Sequence, residues 1–414
     1  MLIHSQRLLA AAGLNPTSQD SAEFLSKFSG LSLETIRWLH KTGHLPDRQS
    51  LRKIASAVAL PEAELCKRLG FVDDAILTSL LDGVPLTAPK PSKRPAPVYS
   101  TKLGTLYEAD CLAVMGSMGS ETVDLIFADP PFNLSKDYPS GMDDSLKEEE
   151  YLEWSIGWLD ECCRILRFGG SLFVYNLPRW NARYAEYLSR RLTFRHAVSI
   201  RMAYSLPIGG RLYPAHYSML YLCKGPKPSH FTPDRLAMET CPKCFGDLVD
   251  YGGYKAKMNP LGVNLTDVWT DISPVRHNNS KKRKGSNELS VKLLDRIIEM
   301  ASKPGDLVFD PFGGSGTTYS TAEAKGRKWV GCEVGPTGQI IERLKNIAEE
   351  KAVIKDLRSK LNSLHPPAVK REREKRGIWT SESVRNQEEK DGNDSLLFPL
   401  EIKTNPKKNA SRVG

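Results

Sequence analysis

Between residues 101 and 350, short apolar runs recur with amphipathic stretches between them: VDLIFA from Val123, SLFVYN from Ser171, YSMLYLC from Tyr217, LVFDPF from Leu307 and KWVGCEV from Lys328. A strand buried on both faces reads as a continuous apolar run, so this alternation predicts a mostly parallel sheet flanked by helices. Ligands of open parallel sheets sit at the carboxyl ends of the strands. No segment repeats at a fixed period, which argues against a solenoid.

Two strand ends carry loops that bear chemistry. The first is Asp129-Pro130-Pro131-Phe132, directly after the run from Val123 to Ala128. An exocyclic amine on a heteroaromatic ring is a poor nucleophile because its lone pair is delocalised into the ring. A carboxylate and a backbone carbonyl that accept its two hydrogens draw that lone pair out. Asp129 and the carbonyl of Pro130 suit this, since paired prolines fix the backbone and remove competing donors. Phe132 offers a face on which an extruded base can stack. The bland alternative is an ordinary strand-to-turn exit, since Asp and Pro are both common in turns.

The second loop is Asp310-Pro311-Phe312-Gly313-Gly314-Ser315-Gly316-Thr317, which leads into a helix. Its glycines permit close backbone approach to a ligand, and a helix start offers free amides to a carboxylate. Glu333 ends the strand that follows, placed to accept hydrogen bonds from ribose hydroxyls. The glycine spacing is not G-x-G-x-x-G, which argues against a dehydrogenase.

The DPPF and DPFGGSGTT pair resembles the beta-type amino-methyltransferase family, which acts on adenine N6 or cytosine N4 in DNA. The similarity spans about residues 101–345. It implies an α/β fold: a Rossmann-like S-adenosylmethionine-dependent methyltransferase sheet, circularly permuted because the catalytic motif precedes the cofactor motif. It also implies Asp129, Pro130, Pro131 and Phe132 as catalytic residues. Asp110, Asp310, Pro311, Phe312, Gly313, Gly314, Ser315, Gly316, Thr317 and Glu333 are implied as cofactor-binding. Leu289 to Lys292 occupy the place of the helix-leading cofactor motif, where many relatives carry Lys-Pro and this chain has SVK. An aspartate opening the catalytic motif resembles the adenine class, with cytosine N4 as the alternative. S-adenosylmethionine is the implied cofactor, with no metal required. Duplex DNA is the implied partner, a cognate restriction endonuclease and a homodimer being further expectations. The competing readings are a DNA-binding regulator without turnover and an RNA or protein amine methyltransferase.

The segment at about 205–285 exceeds what the sheet needs and stands where the family places target recognition. It carries Arg211, Tyr213, His216, Tyr251, Tyr254, Lys255 and Lys257, then a basic run with Arg276, Lys281, Lys282, Arg283 and Lys284. That run reads equally as phosphate contacts or as a solvated surface. Cys241 and Cys244 have knuckle spacing, but zinc needs four ligands, and only Cys223, His230 or His216 stand by to complete a site.

Residues 18–70 show a run of short helical patterns, within a small helical domain expected over 1–82. Ser32 reads as an N-cap before LETIRWLHKTG, and Asp47 caps the helix holding Leu51, Ile54 and Val58. Ile36 and Leu39 would face inward, leaving Glu34, Arg37, Trp38 and Lys41 outward as DNA contacts. The pattern resembles a helix-turn-helix of the Cro/repressor type, the alternative being a generic helical bundle. A Pro-rich linker is expected at 83–100, the methyltransferase domain at 101–350, and a charged disordered tail at 351–414. The net charge of +9 favours a polyanionic partner without identifying it. No apolar stretch is long enough to span a membrane, no secretory signal is evident, and the eight cysteines read as reduced thiols, so a cytoplasmic location is expected.

Overall fold

The computed structural model describes residues 7–70, 95–134, 145–202, 209–210, 212–272 and 288–383. The chain splits into two compact units, 1–233 with 266–359 and 234–265 with 360–414. Among the described residues no helix is long and apolar enough to cross a membrane.

The first unit begins with five helices: α1 (Leu8–Ala11), α2 (Gln19–Ser29), α3 (Leu33–Thr42), α4 (Arg48–Ala57) and α5 (Glu62–Arg68). Both expected N-caps form. Ser32 Oγ accepts from Thr35 N at 3.2 Å, and Asp47 Oδ1 accepts from Ser50 N at 2.9 Å. Leu25, Ile36, Leu39, Leu51, Ile54 and Leu65 close a small core of their own. Trp38 corrects the expected outward face: it is only 6% exposed, stacked on His44 and set edge-on to Phe168 of the sheet. Glu34, Arg37 and Lys41 do remain exposed.

Buried charge explains why α3 and α4 lie against the sheet domain. Ser32 N and Thr35 Oγ1 donate to the two oxygens of Glu121 at 2.7 and 2.5 Å, and Lys224 Nζ lies 3.2 Å from the same carboxylate. Arg48 N donates to Asp160 at 2.9 Å, beside Tyr187 OH at 2.7 Å. Every one of these partners outside the helices belongs to the sheet domain, so these helices are built onto it.

That domain is formed by β1 (Pro97–Ser100), β2 (Gly104–Glu108), α6 (Cys111–Gly116), β3 (Val123–Ala128), α7 (Glu148–Ile165), β4 (Leu166–Asn176), α8 (Pro178–Ser189), β5 (Thr193–Arg201) and β6 (His216–Cys223). It continues, after residues of the second unit, with β9 (Val268–Trp269), α9 (Val291–Ala301), β10 (Leu307–Asp310), α10 (Thr317–Ala324), β11 (Lys328–Glu333), α11 (Gly338–Lys345) and α12 (Ile347–Ser359). The strand order is β1-β2-β11-β10-β3-β4-β6-β5-β9. β2, β11, β10, β3 and β4 run parallel, while β6 pairs antiparallel with both β4 and β5. All five apolar runs named above are strands of this one sheet. The end of the expected linker is corrected, because Pro97 to Ser100 pair with β2; a proline opening an edge strand loses no ladder bond.

The second unit contains β7 (Arg235–Leu236) paired antiparallel with β8 (Val263–Asn264), and α13 (Pro367–Lys375). The expected disordered tail is therefore corrected for 351–383: α12 continues to Ser359, and α13 packs with the insert around Arg373, which is fully buried. Charge composition misleads here because one arginine in the basic run is a core residue. Arg211, Arg276 and Lys281 to Lys284 lie outside the described residues.

Candidate active site

The two chemistry-bearing loops leave adjacent strands, since β3 and β10 are paired with Phe309 opposite Ile126. One cleft is lined jointly by Asp129, Leu289, Asp310, Phe312, Gly313, Gly314, Ser315, Thr317 and Thr318. Parallel register thus brings together two motifs about 180 residues apart in sequence.

The Asp129 loop is held by its carbonyls. Tyr151 OH donates to Pro131 O at 2.5 Å, Trp180 Nε1 to Phe132 O at 2.9 Å, and Arg179 Nη2 to Asn133 O at 3.3 Å. Asn133 sits at φ +53°, turning the chain back, and its amide donates to Leu146 O at 2.8 Å. Among the described residues the Pro130 carbonyl accepts no hydrogen bond. The scaffold therefore spends three neighbouring carbonyls on fixing the loop while this one stays available.

Phe132 stands in an aromatic cluster that sequence reading missed. Its ring centroid lies 5.8 Å from Tyr217 on β6 and 6.2 Å from Tyr175 on β4, and the two tyrosines are 5.2 Å apart. Burial, then the Asp129 carboxylate, pushes both phenols above the ordinary tyrosine range. Both hydroxyls stay protonated beside an acidic acceptor.

The glycine loop is shaped by packing on one side and openness on the other. A Cβ at Gly313 would stand 2.7 Å from Tyr319 OH, and one at Gly316, where φ is +75°, 2.7 Å from Ile340. Gly314, at φ +51°, faces open space. Asp310 is fully buried; its oxygens accept from Thr318 Oγ1 at 2.5 Å and Phe312 N at 2.9 Å. Burial raises its pKa to about 7 in spite of those bonds. Pro311 is buried, and the Phe312 ring packs on Trp158 at 5.1 Å, so this aromatic is largely committed to the core.

Glu333 ends β11 and accepts from Gly314 N and Gly335 N, each at 2.8 Å. Asp110 caps α6 through Leu112 N at 2.8 Å, and the preceding Ala109 N donates to Glu333 O at 2.9 Å. Asp110, Glu333 and the glycine loop thus converge at the carboxyl ends of β2, β11 and β10. Two carboxylates, an uncrowded Gly314 and the start of α10 fit a nucleoside bearing an amino-acid tail. Beneath the loop lies Arg343, another residue the sequence reading missed. It donates to Thr317 Oγ1 at 2.7 Å and pairs with Glu288 at 2.9 Å and Glu350 at 2.7 Å.

In the 289–292 segment, Leu289 lines the cleft while Lys292 is turned to Asp271 at 2.7 Å. Arg296 forks onto the same carboxylate at 2.9 and 2.6 Å. Among the described residues no three His, Cys, Asp or Glu side chains gather as metal ligands; Cys241 and Cys244 belong to the second unit, and Cys223, His216 and His230 to the first.

Residues 123–341 match the N6/N4 methyltransferase family, described as DNA methylase. The chain is 44% identical over 382 residues to the type II methyltransferase M.BamHI of Bacillus amyloliquefaciens, covering 87% of this chain and 90% of that one. It is 31% identical over 245 residues to the DNA adenine methyltransferase YhdJ of Escherichia coli K12, covering 57% of this chain and 80% of that one. Among solved structures, the PvuII cytosine-N4-specific DNA methyltransferase superposes with a TM-score of 0.45 at 20% identity, over 63% of this chain and 95% of that one.

Proposed function

Because this chain belongs to the N6/N4 DNA methylase family, we propose that it methylates an exocyclic amine of a base flipped out of duplex DNA, with Asp129 and Pro130 as the acceptors that activate that amine. The observation that carries this is the single cleft shared by Asp129 and the glycine loop. S-adenosylmethionine supplies the transferable methyl on a cationic sulfur, so the protein has only to prepare and align the nucleophile.

Each residue then has a task. Asp129 and the Pro130 carbonyl accept the two amine hydrogens, which localises the nitrogen lone pair. As nitrogen takes the methyl, the methyl–sulfur bond breaks, S-adenosylhomocysteine is the leaving group, and one amine proton is lost by way of Asp129 to solvent. Phe132, with Tyr217 and Tyr175 beside it, provides the stacking surface that compensates for leaving the duplex stack. Glu333 and Asp110 are placed for the ribose and adenine of the cofactor, and the amides at the start of α10 for its carboxylate.

Adenine N6 is the base we assign. Asp129 opens the catalytic motif, and a relative at 31% identity is named a DNA adenine methyltransferase. Cytosine N4 offers the same amine to the same acceptors and is the reading to be tested against it. The likeness to M.BamHI along most of both chains supports a modification enzyme paired with a restriction endonuclease. The test is transfer of tritiated methyl to mixed-sequence duplex DNA by wild type and Asp129→Ala, followed by nucleoside mass spectrometry. N6-methyladenine lost in the variant is the expected result. N4-methylcytosine would keep the mechanism and replace the base, and no methylated base from cofactor-bound protein would overturn the reading.

A further inference from the structure

The second unit is assembled from two stretches that the sheet domain separates, 234–265 and 360–383. Backbone bonds join them: Met238 N donates to Leu364 O and Leu364 N to Pro260 O, both at 2.9 Å, while Arg235 N donates to Asn362 Oδ1 at 2.8 Å. The joint is locked by Arg373. Its Nε donates to Trp379 O at 3.0 Å, Nη1 to Phe245 O at 2.6 Å and Nη2 to Asp247 Oδ1 at 2.8 Å. Trp379 Nε1 takes the other Asp247 oxygen at 2.8 Å. A buried guanidinium is tolerable only when its donors are matched, and here one fork binds two chain segments at once.

What this joint supports is an exposed loop of mixed chemistry. Leu248, Val249 and Tyr254 are 57%, 56% and 67% exposed, an uncommon display for a surface meant to face only water. Lys255 lies with its ammonium 5.4 Å from the Trp379 ring centroid, and Lys257 is exposed. Aliphatic and aromatic groups beside lysines suit contact with base edges and phosphates together. Charge identifies the occupant. Setting aside the buried Arg373–Asp247 pair, residues 234–265 carry four basic and three acidic side chains and 360–383 carry five basic and three acidic. The positive excess that a polyanion requires is shared by the two stretches, the larger part on the C-terminal one.

We propose that 360–383 and 234–265 together form a duplex-DNA-gripping surface, in which Arg373 is a positioning residue holding the 248–257 loop in its binding shape. This rests on the reading of duplex DNA as substrate. It assigns to the C-terminal segment a share in DNA affinity and to Arg373 an effect on KM for DNA with little effect on kcat.

The test uses the full chain and mixed-sequence duplex DNA, with Arg373→Met, Tyr254→Ala and Lys257→Gln beside wild type. Duplex affinity by fluorescence anisotropy, KM and kcat for methyl transfer, and S-adenosylmethionine affinity are measured for each. Arg373→Met should raise KM for DNA about tenfold or more, with kcat and cofactor affinity near wild type. The exposed variants, which threaten no core, should weaken duplex binding several-fold, and Lys257→Gln should lower the salt slope by about one. Duplex affinity and KM unchanged in all three variants would overturn the proposal. So would an Arg373→Met protein that loses cofactor binding in parallel, since the residue would then serve the general fold. Wild type that binds duplex without methylating it would sink the methylation reading alone and leave this surface standing.

Discussion

The Arg343 guanidinium donates to Thr317 Oγ1 at 2.7 Å, linking α11 to the first residue of the helix that opens behind the glycine loop. The same side chain, 3% exposed, pairs with Glu288 and Glu350. Glu288 directly precedes Leu289, which lines the cleft together with Thr317, so one buried cation ties together two segments of its lining. Truncation to methionine would strand two partly buried carboxylates. We expect Arg343→Met to cost about 3–5 kcal/mol of stability, read by urea unfolding, and to weaken S-adenosylmethionine binding. Arg343→Lys should fall between the two, since it restores charge without the fork. Unchanged stability in Arg343→Met would refute this role.

Tyr217 on β6 stands 5.8 Å from Phe132, and its contribution should be that of an aromatic face. Loss of one stacking partner costs about 1–3 kcal/mol per base. Tyr217→Ala should therefore lower kcat/KM for DNA by roughly 5- to 150-fold with cofactor affinity intact. Tyr217→Phe should stay close to wild type. Equal damage from both substitutions would show that the hydroxyl, and not the ring, is what matters.

Asp310 carries a pH signature. Burial lifts its pKa to about 7, so the carboxyl is ionised above that pH and neutral below it. The sulfonium ligand is cationic, and its affinity should rise as pH increases from 6 to 8, with the slope abolished in Asp310→Asn. In the ligand-free protein the sign reverses. A carboxyl whose folded pKa exceeds its unfolded value costs no stability below about 4, and it destabilises progressively as pH rises from there to about 7. Calorimetric titration of the cofactor across that range checks the first statement and urea midpoints check the second.

Both motifs were legible in the sequence because each is a contiguous strand-and-loop segment whose residue types serve one chemistry. Tyr175, Tyr217 and Arg343 were not. They come from separate strands and a helix, and nothing local distinguishes a tyrosine packed beside Phe132 from any other tyrosine of the sheet. Trp38 shows the opposite failure: it borders the polar side of its helix, which predicts an outward ring, but Phe168 and His44 cover it. Arg373 was hidden by its neighbours, since a run of alternating charge gives no periodic sign that one member is fully buried.

His365 gives the second unit its own acid sensitivity. The ring is 3% exposed, sits 5.4 Å from Trp379, and neither nitrogen has a hydrogen-bond partner among the described residues. Burial, then the neighbouring Arg373 guanidinium, lowers its pKa to about 4. A histidine that must stay neutral to fold contributes its full stability above the unfolded value of about 6.5. It loses that contribution between there and about 4, at no more than about 1.4 kcal/mol per pH unit. Acidification from pH 7 to 5 should therefore raise amide exchange, corrected for intrinsic rates, in 234–265 and 360–383. His365→Phe should remove most of the difference, because an apolar ring has nothing to protonate. Exchange that rises equally in the variant would assign the acid sensitivity to the carboxylates of the unit instead.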